Sequence, residues 1–372
     1  MAGIYIHIPF CKQACFYCNF HFSTSLKRKN ELVAALLSEI ELRKDYLGGD
    51  SIETIYFGGG TPSLLSISDI EAQIGKIFSS FKVDPDVEIT IEANPDDIDG
   101  EKLKEWKKAG INRLSMGIQS FFEEDLKWMN RAHNARQAIQ SLELTLKYFD
   151  NLCVDLIYGI PALTNENWKI NVDKVISLHV PHLSCYALTI EPKTALHKMI
   201  KNHQVDDVNP DKQSEQFLLL MEWMEHGGYE HYEISNFAKP GYRSRHNSSY
   251  WNGKRYIGVG PSSHSFDGTS RQWNVSNNNI YIDSIKKSTI PCEKEILTPI
   301  QQLNEYVMTS LRTMEGLDLT YISEEALSRE LRASSQKFID RRLMVNERNH
   351  LKLTKQGKLL ADGIAAELFF DR

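Results

Sequence analysis

Up to about residue 190 the chain alternates short β-rich runs with longer helical segments, and that order constrains the fold more than any other feature. Runs at 4–8, 54–57, 87–93, 113–117, 154–158 and 183–189 have strand character. The stretches between them are long enough for crossover helices. One of these, 30–46, places Leu32, Ala35, Leu36 and Ile40 at helical spacing with charged residues on the other face. Strands joined by crossover helices pair in parallel, so six βα units predict an α/β fold with a curved sheet or partial (β/α)6 barrel. In such folds functional groups collect at the C-terminal strand ends. Here those ends carry a cysteine-rich loop, Gly58-Gly59-Gly60-Thr61-Pro62, Glu92-Ala93-Asn94-Pro95, Gly117-Ile118-Gln119-Ser120, and Asp155 with Gly159-Ile160-Pro161.

The loop after the first run contains Cys11, Cys15 and Cys18. Three thiolates so close together form a soft metal seat that lacks a fourth protein ligand. Two chemistries fit. A zinc site closes its tetrahedron, here with His21 or His7, whereas an iron–sulfur cluster held by three cysteines keeps one iron open. Cys153, Cys185 and Cys292 are scattered and predict plain thiols, so the set does not read as a disulfide framework. Gly59 and Gly60 either expose bare backbone to a ligand or make a tight strand-to-helix turn.

With 372 residues, 41% of them hydrophobic, the chain can bury a large core in two or three domains. We expect a barrel over 1–190, an irregular extension covering it over 191–296, and a small winged-helix-like helical domain over 297–372. A net charge of -6 gives no general attraction for nucleic acid. The winged-helix-like part holds 11 Lys and Arg against 11 Asp and Glu over 301–372, so it lacks the basic face that DNA binding needs. No stretch approaches the roughly 18 apolar residues that span a bilayer. A cytoplasmic chain without an integral membrane segment is expected.

The C-x3-C-x2-C spacing, Tyr17 just before the last cysteine, and GGGTP after the second run resemble the radical S-adenosylmethionine superfamily. The resemblance implies a [4Fe-4S] cluster on Cys11, Cys15 and Cys18, with S-adenosylmethionine chelating the open iron and cleaved by one electron. It narrows to the branch containing oxygen-independent coproporphyrinogen III oxidase, and covers nearly the whole chain. Within that branch it implies S-adenosylmethionine contacts from Tyr5, Phe16, Tyr17, Gly59, Gly60, Thr61, Glu92, Gln119, Arg131 and Asp155.

Two subfamilies compete. The oxidase has a long N-terminal extension and a fourth cysteine two residues after the third, where this chain has Phe20. The HemW haem chaperone family has C-x3-C-x2-C-x-F, a short N-terminus and an H-N-x-x-Y-W motif. The run His246-Asn247-Ser248-Ser249-Tyr250-Trp251 matches that motif in full. An imidazole can ligate haem iron, and Tyr and Trp offer flat surfaces to a porphyrin. His246 is therefore the expected haem contact, while His133, His264 and Arg245 read as structural. The resemblance implies binding of haem and its delivery to haem-requiring respiratory proteins, a homodimer, and peripheral contact with a membrane. The rival readings are oxidative decarboxylation of coproporphyrinogen III and a zinc-stapled binding protein.

Overall fold

Each of the six β-rich runs forms a strand in the structure, a computed structural model that describes residues 2–370. These are β1 (Ala2–Ile8), β2 (Ile52–Gly59), β3 (Val83–Ala93), β4 (Arg113–Gln119), β5 (Leu152–Tyr158) and β6 (His182–Ala187), parallel and adjacent in chain order. Four of the helices between them begin at polar caps. Ser66 and Asp69 form a capping box for Ile67–Ser80, Asn134 and Gln137 do so for Ala135–Thr145, and Asp99 and Thr164 cap Gly100–Lys108 and Asn165–Ser177. Such side chains satisfy amide donors that the first helical turn leaves free.

The strands have two unlike faces. One carries Ile4, Ile6, Ile8, Ile55, Phe57, Ile89, Ile91, Leu114 and Met116, all buried in the main core. The other carries Thr54, Glu88, Thr90, Arg113, Ser115, Cys153, His182 and Ser184, which are also buried. A closed barrel of this class normally fills its interior with branched apolar side chains. Here much of the interior is polar and hydrogen-bonded. His182 Nδ1 lies 3.0 Å from Cys153 Sγ and its Nε2 2.7 Å from the Tyr232 hydroxyl, while the Ser184 hydroxyl donates to Asn236 Oδ1 at 2.8 Å.

Residues 191–296, expected to be irregular, add strands to both edges of this sheet. On β6 lie β7 (Glu230–Glu233) and β8 (Asn236–Ala238), with β8 antiparallel to it. On β1 lies the parallel β9 (Arg255–Val259), followed by antiparallel β10 (His264–Phe266), β11 (Ser270–Asn274) and β12 (Cys292–Ile296). The result is an open twelve-stranded sheet. These added strands have only three to five residues each, too few for an alternating pattern to stand out from loop composition.

The last part has its own core of Val307, Leu311, Leu331, Phe338, Leu351 and Ile364. Helices Pro299–Leu311 and Glu325–Asp340 pack with a small sheet of β13 (Leu317–Asp318), β14 (Met344–Glu347) and β15 (His350–Leu353). The β14–β15 hairpin is followed by two short helices, Lys355–Lys358 and Ala361–Glu367. Among the described residues, no helix is long and apolar enough to cross a membrane.

Candidate functional site

The three cysteines sit on a loop closed at its base. Ser23 N–H donates to the Pro9 carbonyl at 2.9 Å, and Cys11 N–H donates to the Ser23 carbonyl at 3.1 Å. The glycine run lets this loop leave the sheet. Gly59 has φ +108°, and a Cβ there would lie 2.5 Å from His7 Nδ1. A Cβ on Gly60 would lie 2.6 Å from the Phe10 carbonyl oxygen, while its N–H donates to the Ile8 carbonyl at 2.9 Å. Both glycines are thus required by close approach of the chain to itself.

Beyond the loop, the strand ends enclose a cavity of about 920 Å³. Cys11, Cys15, Cys18, Tyr17, Gly59, Gly60, Thr61, Glu92, Gln119, Arg131 and Asp155 all line it. Burial, with the neighbouring cysteine Cys15 adding to it, raises the Cys11 thiol, and burial pushes Cys18 up to about 11. Thr61 donates to Cys11 Sγ at 3.5 Å, and Asn94 donates to the Thr61 hydroxyl at 3.2 Å. Arg131 braces the loop against the sheet, donating to Cys15 Sγ at 3.3 Å, Asn94 Oδ1 at 2.8 Å and the Gly117 carbonyl at 2.8 Å.

Two carboxyls face the same space. Glu92 accepts from the Tyr56 hydroxyl at 2.9 Å and Gly59 N–H at 3.1 Å, and burial, reinforced by Asp155, raises it to about 7. Burial raises Asp155 to about 6, although Cys153, Ser184 and Ser115 donate toward it. Gln119 has φ +67°, a conformation rare outside glycine, and its buried Oε1 lacks a partner, as does Arg131 Nε. Unpaired buried polar atoms beside two poised carboxyls suit a ligand that carries both signs of charge and many hydrogen-bonding groups.

The structure does not bring every expected residue to this cavity. Tyr5 points its hydroxyl at His7 Nδ1, 3.2 Å away, and is not on the lining. Phe16 packs against the core, its backbone tied to Met129 and Leu196, and is likewise off the lining. His246 is also off this lining. It is 1% exposed, with Nδ1 2.8 Å from the Thr54 hydroxyl, Nε2 2.9 Å from the Tyr250 hydroxyl and its ring stacked on Tyr56 at 4.8 Å. Neither nitrogen is open to iron. His133, His264 and Arg245 also line neither this cavity nor the one beside Tyr250 and Trp251.

His21 Nε2 lies 2.7 Å from Asn278 Oδ1 and His7 Nε2 2.9 Å from the His21 carbonyl, so both imidazoles are engaged elsewhere. Among the described residues, no three His, Cys, Asp or Glu side chains converge on a single-ion site. All three cysteines line the cavity, and three thiolates are a donor set that an iron–sulfur cluster accepts with one iron left open. Sequence reading missed Asn94 as a brace, although it lies in the quoted strand-end run. It also missed Arg312 and Lys358, which reach the far wall from the C-terminal part, and no local pattern marks either.

Residues 5–175 match the Radical SAM superfamily, and residues 297–360 match the HemN C-terminal domain. Coproporphyrinogen III oxidase (HemN) from Escherichia coli has the same fold, with a TM-score of 0.86 over 99% of this chain and 90% of that one at 23% identity. Curated relatives are nearer in sequence. The heme chaperone HemW of Bacillus subtilis is 33% identical over 98% of both chains. That of Mycobacterium tuberculosis H37Rv is 32% identical over 98% of this chain and 94% of its own, and that of Escherichia coli is 37% identical over 70% and 69%. Related to these chaperones over 70–98% of its length, with residues 5–175 matching the superfamily, the chain belongs to the HemW family of the radical SAM superfamily.

Proposed function

We propose that this protein is a haem chaperone, which binds haem as cargo and passes it to haem-requiring respiratory proteins. The observation that carries this reading is the end-to-end kinship with HemW chaperones, 98% of both chains in the Bacillus subtilis case. In this reading residues 1–190 carry the cofactor cavity, 191–296 flank it, and 297–372 close its far side. Cytoplasmic placement, pairing of two copies and contact with a membrane surface belong to the same reading.

Cys11, Cys15 and Cys18 would hold a [4Fe-4S] cluster, and Thr61, Glu92, Gln119, Arg131 and Asp155 would hold S-adenosylmethionine. When bound, the pair supplies one-electron chemistry at the sulfonium. Ionised Glu92 answers the ligand's positive charge. Asp155 offers acceptors to hydroxyl groups, Gln119 supplies an unpaired acceptor, and Arg131 keeps the cysteine loop in register while retaining one free donor. Haem transfer to an apo haem protein by anaerobically reconstituted protein is the test. Conversion of coproporphyrinogen III to protoporphyrinogen IX in the same preparation would overturn the reading.

A further inference from the structure

The far side of the cysteine cavity is closed by the C-terminal part, and the wall there differs in kind from the cofactor end. Tyr158, Leu188, Phe217, Ile234, Leu359 and Leu360 make it largely apolar. Lys358, the last residue of helix Lys355–Lys358, lies among them. Two other lysines of this part pair with glutamates, Lys337 with Glu367 and Lys355 with Glu225. Lys358 is held differently, with Nζ 3.0 Å from Nδ1 of His231 on β7.

That imidazole has a fixed orientation. Its Nε2 lies 3.0 Å from the Ile234 carbonyl oxygen, and its ring is stacked on Phe237 at 4.2 Å and set edge-on to Phe217 at 5.9 Å. A carbonyl can only accept, so Nε2 carries the hydrogen and Nδ1 turns a lone pair toward the amine. Burial, reinforced by Lys358, pushes His231 down to about 3, which keeps the ring neutral. Burial likewise lowers the Lys358 ammonium to about 8, with Glu233 opposing the shift and Lys355 adding to it. Arg312 and Asp362, on the same wall, are paired with each other. An amine beside a neutral proton acceptor and among apolar groups is the arrangement that makes a lysine nucleophilic near neutral pH.

We propose that Lys358 is a carbonyl-binding amine, which takes an aldehyde or ketone with an apolar body as an imine in this half of the cavity. Nζ attacks the carbonyl carbon, while His231 Nδ1 accepts the proton that the nitrogen sheds and returns it to the carbonyl oxygen. Loss of that oxygen with both amine hydrogens as one water leaves a C=N bond, and nothing is oxidised or reduced. The apolar wall seats the body of the ligand and excludes the water that would reverse the step. Haem takes no part in this chemistry, so the site goes beyond the chaperone reading and does not depend on it.

The test treats the full-length, anaerobically reconstituted protein with benzaldehyde as the probe, fixes any imine with sodium cyanoborohydride, and counts the label at each lysine by peptide mass spectrometry. At about pH 7, Lys358 should be labelled at least about tenfold faster than the exposed Lys108 and Lys287, because a lowered amine carries more free base. Its rate should saturate with benzaldehyde and level off above about pH 8, whereas the exposed lysines should respond linearly to benzaldehyde and keep gaining rate as pH rises. Lys358→Arg, its fold checked by circular dichroism, should lose the saturating phase and keep the labelling of the other lysines. Label at Lys358 no faster than at Lys108 and Lys287, or a rate there that grows linearly with benzaldehyde, would overturn the assignment. The readout is the label and not haem transfer, so failure here is distinguishable from failure of the chaperone reading.

Discussion

Glu92 shows how one residue trades stability for binding. Its carboxyl titrates near 7 in the folded protein, because burial penalises the charge, but near the ordinary carboxylate value when unfolded. The folded state thus holds a proton that the unfolded chain has released, and stability falls as pH rises from about 4.5 to about 7. Glu92→Gln removes that penalty. It should stabilise the ligand-free protein by on the order of 1 kcal/mol at pH 7.5, read as a higher melting temperature, and leave it unchanged at pH 4.5. The same substitution should weaken S-adenosylmethionine at least about tenfold, and wild-type affinity should decline as pH drops below about 7. Equal melting shifts at both pH values, or unchanged ligand affinity, would refute this account. The cysteines, Glu92, Gln119 and Asp155 were legible in the sequence because strand-end placement is a local signal. The surroundings of His246 were not, since a motif gives the imidazole but not its partners Thr54 and Tyr250.

At the scale of elements, the six parallel strands were legible because short β-rich runs alternate with longer helical segments along the chain. What could not be read was how the extension joins β1. That junction depends on Glu39, a wholly buried carboxylate on helix Lys29–Leu42. It accepts from Gly260 N–H at 2.8 Å, Asn274 Nδ2 at 2.8 Å and the Tyr281 hydroxyl at 2.5 Å, and pairs with Arg43 at 3.1 Å. In sequence, Glu39 is one more charged residue on an amphipathic helix. Its four partners come from 4 to 242 positions away, beyond the reach of periodicity. Removing it leaves Arg43 buried and several donors unanswered. Glu39→Ala should cost roughly 3–5 kcal/mol in denaturant unfolding, far above a typical surface change. A loss below about 1 kcal/mol would show that the junction is held by apolar packing alone.

Across the whole molecule, Arg312 links the interior of the sheet to the C-terminal part. A chain of polar contacts runs from Asp155 through Cys153 at 3.5 Å, Ser184 at 3.1 Å and Asn236 at 2.8 Å to Glu233 at 2.6 Å. Arg312 closes it, donating to Glu233 Oε1 at 3.1 Å while its guanidinium lies 5.1 Å from the centre of the Trp251 ring. It also pairs with Asp362 at 2.8 Å, which ties helix Ala361–Glu367 to the cavity wall. Glu233 is 1% exposed, so losing Arg312 strands a buried carboxylate. Because Arg312 itself is partly exposed, Arg312→Ala should cost toward the lower end of the roughly 3–5 kcal/mol for a broken buried pair. The loss should be local first. Hydrogen exchange should accelerate in 355–368 before it does in β1–β6, since the C-terminal part keeps its own core while one of its ties to the sheet is cut. Equal acceleration in both regions would mean that the last part and the sheet unfold as one unit, and that Arg312 is a support within a single core and not one of the contacts joining two.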